Sequence, residues 1–353
     1  MELKFNLNFF IIFSLISFFT TFLISKYSKF LFSGSLLDKD FLKPQAFHKK
    51  PVARIGGFVI LSLFILFILF YFLVFDIFLR DYFTITLFMF FLGFLDDLKI
   101  KINPNMRLAL MMIILVACIN IFSIQIPKTG LNFLNLWLEN YIFQIFFVLF
   151  CFLFIINGAN LVDGFNGLLA IHFLLINSIL LIINLINQHE QISLILITQI
   201  ITVFSFLLFN FPKAKIFLGD GGSYLLGSLT VLNIIKIQQI DYDISPFFYA
   251  SILFYLFYEV FFSFIRKSIK KKSPLKPDRL HLHMLLYQFL LTSKKFTDSN
   301  YITSCLINMG YLLLVIPVVY FQKNGIFCRY YFFFLIIFYT IIYFFFFLKN
   351  KKQ

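Results

Sequence analysis

Eleven apolar runs, most of them long enough to cross a hydrocarbon layer, divide this 353-residue chain. A spanning helix needs about 20 apolar residues, somewhat fewer where its ends are enclosed by protein. The runs cover 5–25, 55–75, 82–95, 108–126, 141–156, 168–185, 192–209, 222–237, 247–265, 301–321 and 330–348, the third and eighth being the weakest. With 61% hydrophobic and 13% charged residues, the chain is built for lipid and not for water. The expected fold is therefore all-α, a single polytopic domain over 1–353 in the cytoplasmic (inner) membrane, with the lipid bilayer as its first partner. No stretch between runs is long enough to fold alone. The 57 phenylalanines fall mostly inside the runs and read as lipid-facing filler. The first run lacks a small-residue cleavage site and reads as a retained helix.

Cytoplasmic loops carry an excess of Lys and Arg. If the loop at 26–54 is inside, 24 of the 30 basic residues lie inside, which puts the N-terminus outside and the C-terminus inside. Topology thus accounts for much of the net charge of +14, and no nucleic-acid partner is expected. Cys118, Cys151, Cys305 and Cys328 show no metal-ligand spacing and imply neither disulfides nor zinc.

Polar residues gather in five clusters, at 48–57, 96–107, 157–167, 210–223 and 277–283. Two runs separate each cluster from the next, so all five face one side, and the basic count makes that side the cytoplasm. In the second cluster an apolar helix ends in Asp96 and Asp97. Ionisable groups at membrane depth are costly and point to function, although a solvated helix end reads the same way. Adjacent carboxylates suit a divalent cation, or a cation and a base, because two like charges so close raise one pKa unless a metal intervenes. Arg107 reads equally as an interfacial anchor or a phosphate contact.

Asn157, Asn160 and Asp163 recur at three-residue spacing and share one side if the preceding helix continues. The glycines among them allow close approach to a ligand, while a plain Asn/Asp/Gly turn is the competing account. In the fourth cluster Gly219-Asp220-Gly221-Gly222-Ser223 opens a helix, and such an N-terminus is an anion site. Asp220 there repels phosphate unless it holds a metal, so it is read as a Mg²⁺ ligand; the spacing fits no P-loop. The last cluster lies in the longest inside loop, 266–300, beside a basic run that reads as an orientation signal. His281 and His283 lack a third metal ligand nearby and read as imidazoles donating to phosphate oxygens, against a plain surface position. His172 and His189 stand outside the clusters and read as structural.

As a set, in order from Pro51 to His283, these motifs resemble the polyprenyl-phosphate N-acetylhexosamine-1-phosphate transferases, glycosyltransferase family 4. That family includes enzymes that start O-antigen and related polysaccharides on undecaprenyl phosphate, and the phospho-N-acetylmuramoyl-pentapeptide transferase of peptidoglycan synthesis. The resemblance implies that Asp96, Asp97, Asn160, Asp163, His281 and His283 are catalytic. It implies that Asp220, with Asp97, holds Mg²⁺, for which Mn²⁺ substitutes. It further implies that Arg54, Gly56, Gly57, Asn210 and Phe217 bind substrate, Phe217 and Asn210 at the uracil; Arg107, Asn157, Gly219, Ser223 and Arg279, from the same clusters, are expected to bind substrate beside them. The Arg-x-Gly-Gly form at Arg54, Gly56 and Gly57 and the His-Leu-His form at His281 to His283 are typical of the N-acetylglucosamine branch. Asn166 stands where many members have Asp, and Met284 where many have His; both bear on sugar preference.

The implied reaction moves N-acetylhexosamine 1-phosphate, GlcNAc 1-phosphate above all, from a UDP-sugar to undecaprenyl phosphate. It releases UMP and begins an O-antigen-like polysaccharide; a homodimer is compatible with it. The peptidoglycan transferase is the alternative within the family. A cation-coupled transporter is the alternative of another class, but its carboxylates belong near the bilayer midplane in repeated halves, and no internal repeat is visible. A lipid-binding scaffold without catalysis is disfavoured because the core carboxylates are all present.

Overall fold

The computed structural model describes residues 7–38, 51–100, 102–271, 273, 278–292 and 299–351. Phe5 of the first run, His48 to Lys50 of the first cluster and Pro277 of the last lie outside the described residues.

The described residues form fourteen α-helices and three short strands. The helices are α1 Leu7–Tyr27, α2 Gly56–Phe75, α3 Arg80–Asp97, α4 Pro104–Ile121, α5 Asn132–Leu138, α6 Tyr141–Val162, α7 Leu168–Ile186, α8 Glu190–Asn210, α9 Gly219–Ile240, α10 Pro246–Ile252, α11 Phe254–Ile269, α12 Leu282–Thr292, α13 Ser299–Tyr320 and α14 Gly325–Lys351. Each expected apolar run contains a helix over most of its described length, and the molecule is an all-α multi-pass membrane protein. Eight helices are long and apolar enough to cross a bilayer, nine when α10 and α11 count as one bent span. The two other expected spans, α3 and α9, fall short for a physical reason. Every residue of α9 from Gly221 to Ile235 is buried, so Ser228, Thr230 and Asn233 stand where a lipid-facing helix needs apolar side chains. Helix α3 carries four charges, two at each end, and its N-terminal end pairs Asp81 with Lys236 of α9 at 2.5 Å.

Local chemistry sets several helix starts. Asn103 accepts from the Asn105 N–H at 3.1 Å ahead of Pro104, and Asn140 accepts from the Phe143 N–H at 3.1 Å. Helix α9 is the hub, packed most extensively against α3 and α6, then α2. Close approach depends on glycine: a Cβ on Gly93 of α3 would lie 2.4 Å from the Asp220 carbonyl oxygen, and one on Gly57 of α2 would lie 2.4 Å from the Gly222 nitrogen. The outer helices α1 and α14 present large apolar side chains outward.

Three features depart from the sequence expectation. The ninth run breaks by 72° at Leu253 although it contains neither Gly nor Pro. The break is stabilised from outside, since the Tyr311 hydroxyl donates at 2.7 Å to the Ile252 carbonyl. The described part of the 266–300 loop contains the short apolar helix α12, packed on α13 and α14. Finally, β1 Leu37–Asp38, β2 Val52–Arg54 and β3 Ile216–Phe217 form a small sheet, β1 antiparallel and β3 parallel to β2, with Arg54 paired to Phe217. That sheet carries Arg54 from the first cluster to the start of α9.

Candidate active site

The site is assembled around the first turn of α9. Asp97, the buried last residue of α3, accepts from the backbone N–H groups of Asp220 at 3.0 Å and Gly221 at 2.9 Å. A carboxylate thus occupies the positive end of the α9 dipole. Gly219 makes this possible: its φ is +80°, and any Cβ there would lie 2.6 Å from Asp97 Oδ2.

Arg54 reaches in from β2. Its Nε and Nη2 donate to Asp38 Oδ2 at 3.0 and 2.7 Å, while Nη1 lies 3.6 Å from Asp97 Oδ1 and 3.7 Å from Asp220 Oδ1. Burial opposes the guanidinium charge, but Asp220, Asp97 and Asp38 together hold its proton more tightly than usual. Arg107, at the start of α4, pairs with Asp96 and lies 3.6 Å from Asp220 Oδ2. Asp220 therefore sits between two cations, each too far for a hydrogen bond.

The third cluster closes the next side. Asn160 donates to the Ser223 hydroxyl at 3.1 Å, which donates to the Asp220 carbonyl at 3.0 Å. Asp163, just past α6, is pushed up to about 7 by burial and by the charge of Asp220, with Arg54 opposing. Asn157 bonds back to the Leu153 carbonyl of its own helix at 2.7 Å. Asn210 donates to the Ile216 carbonyl at 2.9 Å and accepts from the Gly167 N–H at 2.6 Å, so it ties the third cluster to the fourth. Asn166 donates to the Pro212 carbonyl at 2.9 Å. Phe217 is partly exposed in β3, and Gly56 and Gly57 are buried where α2 meets the α9 end.

The histidines arrive from the other side. His283 is buried, and a Cβ on Gly164 would lie 3.4 Å from its Nε2. Burial lowers its pKa to about 4, Glu259 opposing and His281 adding, so the ring is neutral. Met284 is buried beside the same glycine. Arg279 is exposed. The fold thus brings Arg54, Asp96, Asp97, Arg107, Asp220 and the Asn160–Asp163 segment into one site, with His283 at its edge.

A hard cation suits this donor set. The nearest cations to the two Asp220 oxygens stand 3.6 and 3.7 Å away, which leaves lone pairs available, and Mg²⁺ takes one or two carboxylates together with phosphate oxygens. Among the described residues no three His, Cys, Asp or Glu side chains converge as a ready metal cage.

The family model for glycosyl transferase family 4 matches residues 79–238. An undecaprenyl-phosphate alpha-N-acetylglucosaminyl 1-phosphate transferase of Thermotoga maritima is 30% identical over 273 residues, 76% of this chain and 78% of that one. The chain belongs to glycosyl transferase family 4. Phospho-N-acetylmuramoyl-pentapeptide-transferases of Streptococcus mutans and Streptococcus pneumoniae are each 31% identical, over 42% and 58% of this chain and 46% and 65% of their own lengths. The matched family segment runs from just before α3 through most of α9 and so includes Asp96, Asp97, Asp163 and Asp220. Arg54 and the His281–His283 pair lie outside it and join the site through the β2–β3 pairing and the packing of α12.

Two residues that hold members of this candidate site were not singled out by sequence reasoning. Asp38 holds Arg54, yet in sequence it is one of several charges in a loop. Glu259 of α11 bonds His281, and it is the one acidic residue within the eleven apolar runs, a signal that was legible.

Proposed function

We propose that the chain transfers an N-acetylhexosamine 1-phosphate, GlcNAc 1-phosphate in the first instance, from a UDP-sugar to undecaprenyl phosphate, releasing UMP on the cytoplasmic face. The observation that carries this reading is Asp220 at the α9 N-terminus, flanked by Arg54 and Arg107 and backed by Asp97. Two anionic substrates need cationic side chains and a carboxylate-bound metal at one place, at the depth where a water-soluble nucleotide meets a lipid head group.

In the reaction an oxygen of the lipid phosphate attacks the sugar-bearing phosphorus. A new P–O–P linkage forms, the bond to the uridylyl phosphate breaks, and UMP departs with its electron pair. Asp220, with Asp97 behind it, would hold Mg²⁺, and the ion would supply charge neutralisation on the diphosphate. Arg54 and Arg107 orient the phosphates, a role that bidentate guanidinium suits. Asp96, paired with Arg107, positions the lipid phosphate. Asp163, with a pKa near 7, is poised to exchange a proton beside it.

The purified protein, given undecaprenyl phosphate, Mg²⁺ and a panel of UDP-sugars including UDP-MurNAc-pentapeptide, is expected to release UMP most rapidly with an N-acetylhexosamine donor. EDTA is expected to stop it. The pentapeptide donor as sole substrate would move the chain to the peptidoglycan branch, and solute uptake without UMP release would replace the enzyme reading with transport.

A further inference from the structure

A carboxylate inside an apolar span is expensive unless charge and hydrogen bonds compensate it. Glu259 is fully enclosed in α11, and its two oxygens divide their work. Oε2 accepts from His281 Nδ1 at 3.0 Å. Oε1 accepts from the Leu282 N–H at 3.0 Å, at the first residue of α12, and lies 3.8 Å from His283 Nδ1. The two imidazoles are stacked with ring planes 6° apart and centroids 5.6 Å apart. His283 Nε2 is buried without a hydrogen-bond partner among the described residues and faces Gly164, next to Asp163.

An ionised carboxylate only accepts hydrogen bonds. Bonded to Glu259, His281 must therefore carry a proton on Nδ1, its Nε2 lying 3.4 Å from Asp278 Oδ1, and the N–H of Leu282 docks the start of α12 on the same group. We propose that Glu259 is the positioning residue of the histidine pair: it fixes the His281 tautomer and holds α12 so that His283 presents Nε2 to the Asp163–Gly164 segment. This inference rests on the reading of the two histidines as active-site groups. The bend at Leu253 belongs to the same arrangement, because it re-aims the helix that carries Glu259.

Glu259→Gln keeps the shape and removes the charge. One end of the amide then meets an N–H donor, so His281 is driven to the opposite tautomer or α12 loosens. The expected result is a fall in kcat for UMP release of about 10²-fold, with KM for the UDP-sugar within about twofold. The loss is expected to vanish in the His281→Gln background, because Glu259 acts through that ring, and Glu259→Asp is expected to recover part of it. An unchanged kcat, or the same proportional loss in the His281→Gln background, overturns the proposal. If His281→Gln itself turns over normally, the histidine reading fails first and takes this inference with it. A folding defect in the variants leaves a test in the unaltered protein: ¹⁵N spectra of labelled histidine, assigned by the signals lost in His281→Gln, are expected to show the proton on Nδ1. A proton on Nε2 alone refutes it.

Discussion

Tyr82, Asn177, Gln199 and Asn233 meet between α3, α7, α8 and α9, and every amide end there is bonded to another member. At the N-terminal end of the same α9, Asp220 stands between two guanidiniums that reach neither of its oxygens within hydrogen-bond distance. The neutral network satisfies itself and so fixes helix register in an apolar interior. The charged cluster is left incomplete, and its remaining valence is what a metal and two phosphates would fill. One helix carries both, a self-satisfied network at its middle and an unsatisfied charged cluster at its end.

Variants can break this contrast, and the largest effect is expected where both regions depend on one contact. Gly93→Val drives side-chain atoms into the backbone of Asp220, where nothing flexible can yield. The loss is expected to be about 4 kcal/mol or more, read as failure to elute as a monodisperse species from detergent. Arg54→Met leaves the buried Asp38 without its partner, so the helices should persist with a lowered melting temperature, while kcat/KM for UMP release per folded protein falls by about 10²-fold.

Asp163→Asn sharpens the comparison through pH. Asp163 has a folded pKa of about 7, above the ordinary carboxylate value, because of burial and Asp220. Its stabilising contribution is therefore complete below about pH 4 and lost as pH rises through about 7. Asp163→Asn keeps a neutral group there, so its melting temperature should exceed that of the unaltered protein by a margin that widens from about pH 4 to pH 8. Turnover that needs the ionised form should rise through about pH 7 in the unaltered protein, and that limb should be absent from the variant's residual activity. The smallest effect is expected in the neutral network. Asn233→Leu leaves Gln199 and Tyr82 short of partners and is expected to cost about 1–2 kcal/mol of stability with kcat nearly unchanged.

Much of the bundle, and the gathering of the candidate site's carboxylates, was legible because the bilayer imposes so few rules. Long apolar runs must be helices, and charges between them must gather at the ends, so Asp96, Asp97, Asp163 and Asp220 could be assigned to one face from spacing alone. The rest depends on contacts that local pattern does not encode. The break at Leu253 has no Gly or Pro to announce it and rests on a hydroxyl from Tyr311, far along the chain. Asn210, which the resemblance places at the uracil, also ties the third and fourth clusters together, a contact no local pattern announces. Asp97 reads as half of a metal pair, yet its carboxylate caps α9 through two backbone N–H groups, a geometry that requires Gly219 at positive φ.

The most direct measurement compares UMP release by Asp220→Asn with that of the unaltered protein in Mg²⁺, undecaprenyl phosphate and a UDP-N-acetylhexosamine, each normalised to folded protein. A fall of about 10³-fold with an unchanged melting temperature is the predicted result. Turnover at the unaltered rate would contradict the assignment of the α9 N-terminus as the reacting centre.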